Sequence, residues 1–224
     1  MENSAFWVAI GDLHDSPEAI KKIPHADKAR GIIITGDLTN VGGVDKAHRI
    51  METVRSVNPV VYAQIGNMDK PEVQDYLERS GYSIHSRGVA LNEQIGLAGV
   101  GYSLTTPFGT PSEVADDTIA SWLDRAVQDI EQLPLKILAT HNPPLNTVTD
   151  KVADGKHVGS QAIRECIEQK QPEVVVTGHI HEAIGEEFMG KSHVLNPGPL
   201  PSGGYVLIRA DQHGLRAELQ RLSS

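Results

Sequence analysis

Short apolar runs alternate with amphipathic stretches along the first third of the chain. Residues 6–10, 31–35 and 59–65 are mostly apolar and partly β-branched. Each stops at a glycine followed by a polar residue: Gly11-Asp12, Gly36-Asp37 and Gly66-Asn67. Runs of this length bounded by turn residues read as buried strands. Ser16-Pro17-Glu18 has the form of a helix start and opens a short helix to about Ile23. Ala47, Ile50, Met51 and Val54 recur at helical spacing over 45–55, and Pro71 opens another short helix over 71–80. This rhythm of strand, polar loop and helix predicts parallel strands joined by right-handed crossovers. The polar loops then fall at the C-terminal ends of strands, where open α/β sheets bind ligands.

The pattern changes after residue 80. Residues 82–85, 89–92 and 95–100 are short segments separated by glycine-containing turns, which predicts antiparallel pairing. A loop rich in Thr, Pro and Gly follows over 102–112. The longest helix is expected over 113–132, with Ile119, Trp122, Leu123, Ala126, Val127 and Ile130 on one face. Strands are expected at 135–140, ending at His141, and at 173–177, ending at Gly178-His179-Ile180-His181. A long irregular loop (142–156) and a helix (158–169) separate them. The segments 186–189, 193–195, 205–210 and 215–219 read as short antiparallel strands.

Composition narrows the class. A chain of 224 residues with 39% hydrophobic and 22% charged residues suits one soluble globular domain over 1–224. No apolar run is long enough to span a bilayer. The first ten residues lack a basic leader and a small-residue cleavage site, so they read as a first strand. The single cysteine, Cys166, excludes an internal disulfide and fits a cytoplasmic location. Its place in a helical pattern makes it a structural thiol. The net charge of −9 argues against a nucleic-acid surface, although carboxylates gathered around cations would contribute to that count.

Candidate chemistry sits at five strand ends: Asp12 with His14, Asp37, Asn67, His141, and His179 with His181. Taken singly, these are ordinary features. Asp-x-His is a common loop pair, Gly-Asp a turn or cap, Gly-Asn a left-handed turn, and a lone His more often structural. Their shared position changes this, because every one follows an apolar strand at its C-terminal end. Alternation along an extended chain would turn Asp12 and His14 toward one point, and likewise His179 and His181. Imidazole nitrogens mixed with carboxylate oxygens suit Mn, Fe or Zn better than Ca or Mg. Seven ligands with one carboxylate shared match two metals and an open position for water.

The ordered series Asp12-x-His14, Gly36-Asp37, Gly66-Asn67-x-Asp69, His141 and Gly178-His179-x-His181 resembles the signature of calcineurin-like metallophosphoesterases, especially the small prokaryotic phosphodiesterase-type members. The resemblance covers Gly11 to about Gly198, where Asn196-Pro197-Gly198 also matches an element of the small members. It implies an α/β four-layer α/β/β/α sandwich with two mixed sheets. It also implies two divalent transition-metal ions, manganese favoured. Asp12, His14 and His181 would hold the first ion, and Asn67, His141 and His179 the second. Asp37 would bridge them, and hydrolysis would proceed through a hydroxide held between the ions, with Asp37, Asn67 and His141 as catalytic residues. The sequence departs from the pattern at Met68, where many members carry a His proposed to protonate the leaving group. Methionine cannot donate that proton. Asp69 follows the pattern and is expected to orient Asn67 or its loop.

The expected activity is hydrolysis of a small phosphoester, a nucleotide diester among the options, with no membrane partner and nucleic acid disfavoured. Two alternatives share the fold: a nuclease, and a non-catalytic interaction module such as the retromer subunit. A homodimer fits the habit of small family members. The loops 102–112 and 142–156 are expected to wall the substrate. His157 is read as a loop or helix-start residue, with leaving-group protonation as its alternative role.

Overall fold

Strands with apolar side chains on both faces need cover on both faces, and this requirement builds the molecule. The structure is a computed structural model describing residues 5–223; Met1 to Ser4, part of the expected first strand, lie outside the described residues, as does Ser224. In β1 (Ala5–Ile10), Trp7 and Ala9 face one side while Val8 and Ile10 face the other. β2 (Ile32–Ile34) divides likewise, Ile33 on one face and Ile32 and Ile34 on the other. The two strands pair in parallel, and β2 pairs in parallel with β3 (Val61–Ala63). The sheet is completed by β12 (Gly204–Asp211), antiparallel to β1, and β13 (Gly214–Arg221), antiparallel to β12.

The second sheet consists of β4 (Arg87–Ala90), β5 (Ile95–Val100), β8 (Leu135–Thr140), β9 (Val174–Val176), β10 (Gly185–Met189) and β11 (Ser192–Asn196). Their order across it is β10-β11-β9-β8-β5-β4. β5, β8, β9 and β11 run parallel, while the edge strands β4 and β10 pair antiparallel. Between the sheets lies an apolar layer that includes Trp7, Ile33, Leu97, Ile137, Val174, Val176 and Ile208. Burying each such side chain contributes about 1.5–3 kcal/mol, which makes this layer the main bond between the sheets.

The outer faces are covered by helices. α1 (Val44–Val57) and α2 (Pro71–Arg79) cover the first sheet, with Ala47, Ile50, Met51, Val54, Val73 and Leu77 buried against it. α3 (Asp116–Gln128) and α4 (Gln161–Lys170) cover the second through Ile119, Leu123, Ile163 and Ile167. The result is the four-layer α/β/β/α sandwich with two mixed sheets. Cys166 lies in α4 beside the outer core, and burial pushes its thiol up to about 11, in keeping with a structural role. No helix among the described residues is long and apolar enough to cross a membrane.

Several local expectations change. Residues Pro17–Lys22 form a 3-10 helix rather than an α-helix. Residues 82–85 make only isolated parallel bridges, Ala63 to Ser83 and His85 to Gly99, because they run between the two sheets as a connection. The helix expected over 113–132 begins at Asp116 and, at 13 residues, is shorter than α1 with 14. Glu113–Val114 (β7) instead pairs with Ser103–Leu104 (β6). In the tail, β11 pairs antiparallel with β10 but parallel with β9.

Candidate metal centre

The C-terminal ends of β1, β2 and β3 in one sheet and of β8 and β9 in the other open onto the same place. The inter-strand pairing continues past the strands as loop hydrogen bonds. Asp12 N–H donates to the Gly36 carbonyl at 3.1 Å, His14 N–H to that of Asp37 at 3.0 Å, and Gly178 N–H to that of His141 at 3.1 Å. Beneath this edge the buried Gln64 ties the sheets together. Its Nε2 lies 3.3 Å from the Thr35 carbonyl in the first sheet's strand-end loop, and 3.1 Å from those of Val100 and Ala139 in the second sheet.

One carboxylate stands between the two halves of the cluster. Asp37 Oδ2 lies 3.7 Å from His14 Nε2 and 3.5 Å from His141 Nε2. On one side, donor atoms of Asp12, His14, Asp37 and His181 all fall within 4.8 Å of one another. On the other, His141 Nε2 faces Asn67 Oδ1 at 2.9 Å, and the His141 and His179 rings lie 5.0 Å apart between centroids. The structure therefore brings all seven expected residues together.

Their convergence does not come from strand alternation. Asp12 (φ 50°), His14 (φ 44°), Asp37 (φ 49°) and His179 (φ 69°) all have left-handed backbone. The chain leaves each strand in a tight coil that turns the side chain inward, a conformation costly outside glycine and typical of functional sites. The glycines before the ligands make the room. A Cβ on Gly178 would come within 2.5 Å of Asp12 Oδ2, and one on Gly66 would collide with Asp37 Oδ1.

The donor set fits divalent cations. Asp12 and Asp37 are 0% and 2% exposed, and among the described residues no lysine or arginine pairs with either. Buried carboxylates without a partner cation are costly, and a metal ion supplies the missing charge. Burial, reinforced by the charges of Asp12 and Asp69, pushes Asp37 well above the usual carboxylate range. Burial also acts upward on Asp12, but the His181 hydrogen bond and the neighbouring histidines outweigh it and hold Asp12 at about 2. Burial lowers His14, takes His141 down to about 3 and His179 to about 4, so these imidazoles keep their lone pairs at neutral pH. The hydrogen bond to Asp12 raises His181.

Further residues aim these donors; Asp69 and Asn196 belong to the sequence pattern, whereas Asn40, Thr110 and Glu113 do not. His14 Nδ1 lies 2.8 Å from Asn40 Oδ1; a carbonyl oxygen only accepts, so the proton sits on Nδ1 and the Nε2 lone pair is free. His14 Nε2 and His181 Nε2 face each other at 3.0 Å. Asn67 Nδ2 donates to Thr110 Oγ1 at 2.9 Å, and Thr110 Oγ1 donates to Glu113 Oε1 at 2.5 Å. Asp69 accepts from the N–H groups of Leu38, Thr39 and Gly66 and from the Thr39 hydroxyl, clamping the second strand-end loop to the third. The Asn196 side chain donates to the carbonyl of Ile180, between the two tail histidines. No spacing rule marks Asn40 or Thr110, because the ligands they aim, His14 and Asn67, lie 26 and 43 residues away.

A cavity of 1380 Å³ opens above the cluster. His14, Asp37, Asn67, His179 and His181 are among its lining, and its walls come from the segments 104–111 and 152–158, within or beside the two loops expected to form them. Met68 lines it too. His157 does not; its Nδ1 lies 2.6 Å from the buried Asp150 carboxylate, which also accepts from Asn146, Thr147 and Gly159 N–H. His157 thus belongs to the framework of the long loop.

Residues 120–221 match the sequence profile described as metallophosphoesterase, calcineurin superfamily. An uncharacterised protein of Methanocaldococcus jannaschii is 34% identical over 198 residues, covering 86% of this chain and 87% of that one. Among solved structures, TT1561 of Thermus thermophilus superimposes with a TM-score of 0.75 at 17% identity, over 99% of this chain and 100% of the other. A dimetal phosphatase of Danio rerio gives 0.61 at 10% identity, over 98% and 99%. The two structures share the fold. With the profile match, the archaeal relative and the ligand series in order, the chain belongs to the calcineurin-like metallophosphoesterase superfamily.

Proposed function

We propose that this phosphoesterase is a dinuclear-metal phosphodiesterase acting on a small monoanionic diester, nucleotide diesters among them. One observation carries the reading: the oxygen Asp37 Oδ2 lies 3.7 Å from a histidine nitrogen of one half-site and 3.5 Å from a histidine nitrogen of the other. In this reading Asp12, His14 and His181 would hold one ion, Asn67, His141 and His179 would hold the second, and Asp37 would serve both. Manganese, iron or zinc suits the mixed donors. When bound, such ions supply an activated water and neutralise phosphoryl oxygens.

The chain's own residues do the rest. Asn40 fixes the His14 tautomer, Thr110 turns the Asn67 carbonyl inward, and burial keeps His141 and His179 neutral. Met68 offers no proton to a leaving group, so departure draws its proton from solvent or from the substrate itself. Lys156 is the one Lys or Arg among the described residues lining the cavity, which favours a singly charged diester over a dianionic monoester.

The test is hydrolysis by manganese-loaded protein of bis-p-nitrophenyl phosphate against p-nitrophenyl phosphate, with Asp37→Asn as control. Faster diester cleavage, lost in Asp37→Asn together with one bound ion, is expected. Two bound ions without cleavage of either ester would overturn the catalytic reading, and faster monoester cleavage would replace diesterase by phosphatase.

A further inference from the structure

The rim of the cavity carries two apolar side chains in unusual states. Phe108 is 84% exposed, and it sits on the segment between Pro107 and Pro111. Val41 is 48% exposed, and its backbone lies at φ 53°. A β-branched residue in the left-handed region is sterically disfavoured. Its N–H donates to the Met68 carbonyl at 3.0 Å, which holds it there. An apolar side chain exposed at the mouth of a functional cavity, in a conformation maintained at a cost, points to a ligand that covers it. Phe108, Val41 and Met68 all line this one cavity.

The charge of the walls adds a second constraint. Asp154 and Glu182 line the cavity with Lys156, and no arginine joins them among the described residues. A polyphosphate or a nucleic-acid strand needs a row of cations along its path. Among the described residues Lys156 alone makes no such row, so a single phosphoryl group at the ligand cluster is the charge these walls accommodate.

We infer that the substrate carries one phosphoryl group and a flat aromatic ester arm, gripped by Phe108, Val41 and Met68. This names the substrate class of the site and rests on the reading above that the cluster holds a phosphoryl group. An aromatic arm suits the grip better than an alkyl chain. Phe108 offers a ring for offset or edge contact, and a thioether packs well against aromatic edges. A flexible alkyl chain would lose more rotational freedom on ordering. The grip is also built in advance. Pro107 and Pro111 restrict the segment, and Glu113 Oε1 accepts from both Thr106 Oγ1 at 2.6 Å and Thr110 Oγ1 at 2.5 Å, which fixes the loop that presents Phe108.

Calorimetric titration of the manganese-loaded protein with phenylphosphonate, hexylphosphonate and methylphosphonate tests this without turnover. Phenylphosphonate is expected to bind at least about tenfold more tightly than methylphosphonate, and more tightly than hexylphosphonate. Phe108→Ala and Val41→Gly should each erase most of the phenyl preference while manganese stoichiometry is retained. Equal binding of phenyl and methyl, tightest binding of hexyl, or a phenyl preference that survives both substitutions would overturn the inference. The two readings separate cleanly. A Phe108-dependent phenyl preference without hydrolysis of any ester sustains this inference and removes the catalytic one. Ester hydrolysis without any phenyl preference does the reverse.

Discussion

Asn67 donates its side-chain N–H to the Thr110 hydroxyl at 2.9 Å, and this bond decides which end of its amide faces His141. Thr110 can only accept there, because its own proton is given to Glu113. A neutral amide is thereby converted into a directed oxygen donor by a loop 43 residues further along the chain.

Thr110→Val keeps the shape and removes the acceptor. The Asn67 amide is then free to turn, and manganese affinity should fall about 10–100-fold, as for other residues that orient a ligand. Thr110→Ser should restore it. Calorimetric titration of both variants checks this, and equal affinity for wild type and Thr110→Val would refute it.

Gln64 joins the sheets under the site. Gln64→Leu fills similar space but leaves the carbonyls of Thr35, Val100 and Ala139 without their shared donor. Loss of a buried donor of this kind should cost about 2–3 kcal/mol, lowering Tm by about 5–10 °C. Thermal unfolding of metal-free protein measures it, and a shift under about 2 °C would show that the stitch carries little stability.

Val41→Gly should move stability and recognition in opposite directions. Relief of the left-handed valine outweighs the added freedom of glycine in the unfolded chain, so Tm should rise by about 2 °C. Affinity for phenylphosphonate should fall in the same variant. A lower Tm would mean that Val41 is held by packing and not strained.

His85 supplies a pH dependence separate from the ligand cluster. Burial, followed by the charge of Arg125, lowers it from 6.5 to about 4, and its Nδ1 accepts from Gly101 N–H at 3.1 Å. Below about pH 6.5 the unfolded chain takes up this proton and the folded one does not. The His85 contribution is therefore complete above about pH 6.5 and declines as pH falls toward about 4, by about 3 kcal/mol at most. Urea unfolding of metal-free protein at about pH 7.5 and about pH 5 should show a smaller pH difference for His85→Gln than for wild type. An equal difference would place the acid sensitivity elsewhere.

Local sequence was enough to mark the buried apolar runs and the candidate ligands at their ends. Apolar runs such as Ile32–Ile34 and Val174–Val176 are local signals, and a polar residue at the end of each strand is visible without knowing its neighbours. The order of those residues, matched to a family pattern, was enough to assemble the whole candidate ligand set and the four layers. Tertiary structure alone decided pairing and aim. Residues 82–85 look like a strand by composition, yet they bridge between sheets; Glu113 looks like the start of a helix, yet its carboxylate holds Thr106 and Thr110. Asp12 and His14 converge through left-handed backbone, which no alternation rule foresees. Asn40, Gln64 and Thr110 find partners about 26 to 75 residues away. Burial follows from a residue's own hydrophobicity and local period, whereas hydrogen-bond direction and backbone strain depend on which distant segment the fold brings alongside.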